Sequence, residues 1–372
     1  MQRRFVRKNF FRKGIDTIYV AAALVTALAF CAAVMISAGT ETTQYASLQL
    51  SAAQKMADAE LYLKEKMLAL GIEAEPDDLN GMLLFGPEFT ELTSTPGSVE
   101  AKRSSLNPNF AAAMVRYYKQ AGLKEGDTVA IGTSGSFPGL AIAAVIAAFD
   151  YDLKAKVIAS LGASMHGATR VEFNIFDILL ALREGGFADF ELTGISRGGA
   201  NDRGGSVLEG MFFEGTALLS HEICLETSEK TGAVYINTDN LAQNIRIRLE
   251  LYGNADMFVN IGGASVNSGV STGSLNIPSG LALDLPFIPD NELRGLCFEY
   301  AARGIPVLNL LNVKKLCADN GIAFDPVPML APGDGGVYAE THYNFALAVL
   351  GALLSVCILV AGIAVSKFRK KI

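Results

Sequence analysis

Two long uncharged stretches, one near each end, constrain this chain most. Residues 18–38 read IYVAAALVTALAFCAAVMISA, and residues 343–365 read YNFALAVLGALLSVCILVAGIAV. Each reaches the length of about 20 helical residues that crosses a hydrocarbon core. The first has a competing reading as a cleaved signal peptide, with a basic leader and the small residues Ser37, Ala38 and Gly39 at its end. Signal-peptide cores run to about 7–15 residues, which favours a retained anchor. The second competes with a buried core helix. Its terminal position and the Lys-Phe-Arg-Lys-Lys that follows favour a second span.

Charge fixes an orientation for the two spans. Arg3, Arg4, Arg7, Lys8, Arg12 and Lys13 precede the first, and Lys367, Arg369, Lys370 and Lys371 follow the second. The positive-inside rule then predicts both termini in the cytoplasm and the middle of the chain outside. The whole chain carries −7, but setting aside those ten basic residues and Asp16 leaves 21 basic against 37 acidic residues, a balance of −16. A surface of that sign does not neutralise phosphates, so nucleic acid is excluded as a partner. Mean hydropathy is +0.30, too polar for a multispanning transporter.

The predicted plan has six parts. Residues 1–17 are a basic cytoplasmic segment and 18–38 a transmembrane helix. Residues 39–106 are a juxtamembrane helix with an irregular lead-in, and 107–342 an α/β ectodomain. A second transmembrane helix covers 343–365, and 366–372 form a basic tail. Leu50, Ala53, Met56, Ala57, Leu61, Leu63, Met67, Leu68 and Leu70 give the juxtamembrane helix an apolar stripe at roughly helical spacing. Within the ectodomain short apolar strands alternate with helices. Strands are expected at 128–132, 155–160, 190–195, 233–237, 257–261 and 305–311. Helices are expected from 107 to near 122, then at 138–149, 173–183, 207–230, 241–252, 291–303 and on to 320. That alternation predicts a mostly parallel, doubly wound sheet covered on both faces.

Ligands bind such sheets outside the carboxyl ends of the strands. Four of those ends are rich in Gly and Ser. They hold Gly132, Ser134, Gly135 and Ser136; Ser164 and His166; Arg197, Asp202 and Arg203; and Gly262, Gly263 and Asn267. Glycine lets backbone approach a ligand, and hydroxyls and free amides bind anions. Any one such loop also reads as an ordinary tight turn; four together favour a site.

Three chemistries fit those residues unequally. Gly132-Thr-Ser134-Gly-Ser136 sits between strand and helix like a nucleophile elbow, with Ser136 where that motif has Gly. Ser134, His166 and Asp202 would be its triad, in an order unlike the α/β hydrolases. Three His residues without metal-ligand spacing and no CxxC give little support to a metal site. Arg197 and Arg203 flank a Gly-rich loop and suit carboxylate or phosphate recognition, although solvated surface arginines look the same. Neither a Walker A loop nor a dinucleotide fingerprint occurs, so no cofactor is expected. Of the five Cys, Cys31 and Cys357 fall in the spans. Cys224, Cys297 and Cys317 are expected as buried thiols, with a Cys297–Cys317 pair as the alternative.

Several blocks resemble a known family. They are the run 93–103 (TSTPGSVEAKR), Asn107-Pro-Asn-Phe110, Gly132-Thr-Ser-Gly-Ser-Phe-Pro138, Ser160-Leu-Gly-Ala-Ser164, Asn260-Ile-Gly-Gly263 and Gly304-Ile-Pro-Val-Leu-Asn309. Together, across residues 93–312, they resemble the poly-γ-glutamate system proteins, a membrane-attached family. The resemblance implies an accessory role in synthesis or export of that anionic polymer, beside synthase or export subunits. It implies no catalytic residue. An extracytoplasmic serine hydrolase or transferase acting on the polymer, and a regulatory domain for a small anion, are the alternatives.

Overall fold

Helices Thr17–Ile36 and Phe345–Phe368 bear out the two apolar stretches, each within a few residues of the expected bounds. The computed structural model describes residues 17–270, 272–291 and 294–368. Asp16, the basic residues before Thr17, and Arg369, Lys370 and Lys371 lie outside the described residues. The chain divides into two compact units. One joins the two ends of the chain, up to Thr43 and from Ala339; the other is Gln44–Tyr338.

In the end unit the two apolar helices pack on each other. Gly351 makes the approach possible, because a Cβ there would lie 2.4 Å from Phe30 Cβ. Ser355 Oγ donates to the Ala23 carbonyl at 3.3 Å. Small residues at a helix contact are the usual means of close packing in lipid. Ile18, Leu24, Val25, Leu28, Leu353 and Val356 remain exposed. Both helices are long and apolar enough to cross a membrane. Strands Gly39–Thr42 and Ala339–His342 pair antiparallel, Gly39 opposite His342.

The larger unit begins with α1 (Ala46–Ala69), α2 (Val99–Ser105) and α3 (Asn109–Gln120). Then follow β1 (Thr128–Ser134), α4 (Pro138–Asp150), β2 (Lys154–Ser160), α5 (Ile175–Glu184) and β3 (Glu191–Ser196). Next come α6 (Thr216–Thr231), β4 (Val234–Tyr235), α7 (Leu241–Tyr252) and β5 (Met257–Ile261). Last are β6 (Gly280–Ala282), α8 (Leu296–Ala301), β7 (Val307–Leu310) and α9 (Val313–Asn320).

The seven strands form one sheet in the order β4-β3-β2-β1-β5-β7-β6. All neighbours are parallel except β7 and β6. Successive side chains of a strand point to opposite faces. Val129 and Ile131 of β1 accordingly enter one core cluster and Ala130 the other. Helices α1, α3, α4 and α5 fill the first cluster, and α7 and α8 the second. Helix α4 is buried along residues 138–148, as its nearly continuous apolar sequence requires.

The lead-in belongs to this unit, which the expected boundary at residue 107 had left out. Ala52, Ala53, Met56, Ala59, Leu63 and Met67 of α1 are in the main core. Residues Thr93–Thr95 pair with Ala163–Ser164 in a short parallel ladder. Of the expected stripe, Ala53, Met56, Leu63 and Met67 pack in the core, whereas Leu50, Leu61, Leu68 and Leu70 are exposed.

Candidate functional site

From β1 the chain runs outward through β2, β3 and β4, then returns across the sheet to β5 on the other side of β1. The β1/β5 boundary is thus where the strand order reverses, and its carboxyl end is the crevice position of open α/β sheets. Three serines end adjacent strands in register there: Ser134 on β1 opposite Ser160 on β2, and Ser160 opposite Ser196 on β3. Gly262, just past β5, has φ +93°, and a Cβ on it would lie 2.5 Å from Ser134 Oγ. Only glycine satisfies both that dihedral and that contact.

The serine row leads into a buried ion-pair network. Ser160 Oγ and Ser196 Oγ are 2.8 Å apart, and Ser196 Oγ donates to Asp202 Oδ1 at 2.7 Å. Arg248 Nη2, from α7, donates to Ser196 Oγ at 2.7 Å and to Asp202 Oδ2 at 2.8 Å. Asn244 Nδ2 donates to the same carboxylate oxygen at 3.2 Å. Asp202 and Arg248 are almost fully buried, 2% and 1% exposed at their side chains. Such a pair fixes the loop after β3 against α7, because removing either partner leaves a charge buried alone.

The three residues of the expected triad are not hydrogen-bonded to one another. The backbone N–H of Ser136 reaches Ser134 Oγ at 3.4 Å. His166 stacks on Phe85 at 4.7 Å, and its Nδ1 lies 3.3 Å from the Gly86 carbonyl. Asp202 is committed to Arg248, Ser196 and Asn244. The lead-in thus takes the histidine, and α7 takes the carboxylate.

The two arginines also part. Arg203 is exposed and donates to the Asp239 carbonyl at 2.8 Å. Arg197 is half-buried, and among the described residues its Nε has no hydrogen-bond partner. Asn267 packs on β1 and donates to the Gly132 carbonyl at 3.2 Å; a Cβ on Gly132 would lie 2.8 Å from Asn267 Nδ2. Gly263 is exposed. Cys224, Cys297 and Cys317 are buried and unbridged, and burial raises all three thiols, Cys224 and Cys317 to about 12. Among the described residues no group of three His, Cys, Asp or Glu side chains could hold a metal ion.

Lys102 is the buried cation at this edge that loop patterns miss. It lies on α2, 2% exposed. Its Nζ donates to the Ser136 carbonyl, sits 2.5 Å from Ser164 Oγ and stands 4.0 Å over the Phe137 ring. Ser136 Oγ in turn accepts from the Ser164 N–H at 3.1 Å. Among the described residues no carboxylate pairs with the amine, and burial lowers its pKa from 10.5 to about 7.

Local structure holds this cluster closed. Ser98 Oγ caps α2 by accepting from Ala101 N at 3.3 Å. Gly139 lets α2 rest on the start of α4, because a Cβ there would be 2.2 Å from the Ser105 carbonyl oxygen. Gly135 is packed as tightly, 2.9 Å from Ala163 Cβ by the same measure. Ser136 and Ser164 are 9% and 8% exposed. The only signal in the sequence was position: Lys102 falls inside the block 93–103.

Compared with known proteins, the chain matches no family model and no curated protein.

Proposed function

We propose that this chain is a membrane-anchored accessory protein of poly-γ-glutamate synthesis or export, whose working site is the strand carboxyl edge around β1. In this reading the sheet is doubly wound from β1. The terminal helices span the cell membrane with both ends in the cytoplasm. The unit between them works outside, beside synthase or export subunits.

One observation carries the proposal: blocks that are far apart in sequence and share the resemblance meet in space. Thr93–Thr95 of the first block pairs with Ala163–Ser164 of another, and Lys102 bonds Ser136 and Ser164. Asn260 Nδ2 donates to Asn309 Oδ1 at 2.8 Å, joining the two later blocks. Residues 132–138, 160–164 and 260–263 lie at the carboxyl ends of β1, β2 and β5, the edge where such sheets bind ligands, whereas residues 304–306 precede β7. A net −16 surface repels a polyanion over most of its area, so contact with the polymer is local, at Arg197, and the remaining field favours outward movement.

Deleting the gene in a polymer-producing host, with the full chain restored from a plasmid, tests the reading. Polymer output falls in the deletion strain and returns on restoration. Unchanged output would sink the proposal.

A further inference from the structure

We propose that Ser164 and Lys102 form a serine–lysine acyl-transfer pair, with Ser164 Oγ as nucleophile, Lys102 Nζ as its base, and an amide or ester as the acyl donor. The inference goes beyond the polymer assignment and does not need it.

Geometry puts the reacting atoms in place. Ser164 Oγ and Lys102 Nζ are 2.5 Å apart, within reach of a proton transfer. Ser136 is a positioning residue for both. Its carbonyl accepts from Lys102, and its Oγ accepts from the Ser164 N–H. Gly97 lays its backbone against the pair: a Cβ there would lie 2.8 Å from the Met165 carbonyl oxygen, 3.2 Å from Lys102 Cε and 3.4 Å from Ser164 Oγ.

A lysine serves as a base only when its amine is neutral, and desolvation is what makes it so. Burial is the cause here, lowering Lys102 to about 7. The surrounding charges are engaged elsewhere. On its own helix Glu100 meets Ser98, and Arg103 pairs with Asp325. Asp150 of α4 pairs with Lys55, and Lys315 with Asp319 on α9; Lys314 of α9 lies over Phe324. In the loop of Ser164, His166 is held at the Gly86 carbonyl.

The step balances with water as the second reactant. The neutral Lys102 amine takes the Ser164 hydroxyl proton as Oγ bonds the acyl carbon. The carbonyl π pair moves to oxygen. That pair returns as the C–N or C–O bond to the leaving group breaks, and the leaving group takes the proton from Lys102. An acyl ester remains on Ser164. Water then attacks the ester while Lys102 removes its proton. The ester bond breaks, Ser164 Oγ recovers the proton, and a carboxylic acid leaves.

Diisopropyl fluorophosphate, small enough for a closed site, tests the pair on the full-length chain in detergent. It forms an Oγ–P bond as fluoride leaves. Intact mass and peptide mapping read the adduct from pH 6 to 9. The expected result is one adduct, on Ser164. Its rate falls about tenfold per pH unit below about 7 and is level above it, following the neutral amine. Lys102→Arg, which cannot lose its proton, slows the adduct by about 100-fold or more. Ser164→Ala forms none while melting as a folded protein. No adduct across the range, an adduct mapped to another residue, or full-rate labelling of Lys102→Arg would each overturn the proposal. If Ser164→Ala does not fold, the map on the unaltered chain still decides. The probe carries no γ-glutamyl group, so a negative result leaves the polymer role untouched. Normal polymer output after gene deletion would likewise leave the pair untouched.

Discussion

At the scale of a residue, Lys102 is unusual because its burial opposes stability. The unfolded chain keeps the amine protonated up to its ordinary value of 10.5, whereas the folded chain lets it go at about 7. Between those values the unfolded state binds the extra proton, so wild-type stability rises with pH across that window. Below about 7 the full cost is present. At 1.36 kcal/mol per pKa unit, that cost is about 5 kcal/mol. Loss of the two hydrogen bonds of Nζ offsets about 2 kcal/mol of any gain from removing it. Lys102→Met is therefore expected to raise the melting temperature by about 5 °C at pH 7. The difference reverses towards pH 10, where the wild-type amine is neutral at little cost and keeps its two hydrogen bonds. Thermal unfolding at pH 7 and pH 10 measures both. A lysine kept only for structure would instead leave Lys102→Met less stable at both values. A buried residue whose charge costs stability is typical of functional sites.

At the scale of elements, the buried Asp202–Arg248 pair joins the loop after β3 to α7. Asp202→Ala leaves Arg248 buried without its partner, at a cost of about 3–5 kcal/mol. Urea unfolding should show a lower midpoint with an unchanged slope. A triad aspartate would lose activity and keep its stability, so a normal midpoint would return Asp202 to the chemistry. The same loop marks the limit of sequence reading. Helix α7 and strand β5 have the expected bounds because local signals enclose them. Asn240 Oδ1 accepts from Gln243 N at 3.1 Å, and Gly253 ends the helix with φ +62°. The helix expected from residue 207 begins at Thr216 because Gly210 and Gly215 turn the chain at positive φ. The Glu209 carboxylate then takes the N–H groups of Gly215 and Thr216. The helix expected at 291–303 shortens to Leu296–Ala301. Strand β6 is three residues on the sheet edge, and α2 is seven; neither is long enough for a periodic signal. The Gly/Ser loops were legible as an edge, since composition alone marks them. The pairing within that edge was not, because His166 and Lys102 are placed by the lead-in, through Phe85 and through Gly139 against Ser105.

At the scale of the whole molecule, the proposed arrangement outside the membrane has one direct check. Glu125 lies exposed in the turn before β1 and, among the described residues, has no side-chain hydrogen bond or ion pair. Glu125→Cys therefore offers a reactive thiol on the larger unit. The native cysteines give little background. Cys224, Cys297 and Cys317 are buried with raised pKa values, and the thiolate is the reactive form. Cys31 and Cys357 sit on the apolar helices, and if these span the membrane as proposed a charged reagent would have to enter lipid to reach them. A membrane-impermeant maleimide added to intact cells should label Glu125→Cys and leave the unaltered chain blank. Labelling only after permeabilisation would put the unit in the cytoplasm and reverse the orientation that the basic ends imply. That outcome would also remove the physical case for a polymer role, because a unit of −16 would then face the synthesis side and repel the chain being made. The serine–lysine pair would survive it, since its chemistry depends on burial and distance and not on which side of the membrane holds it.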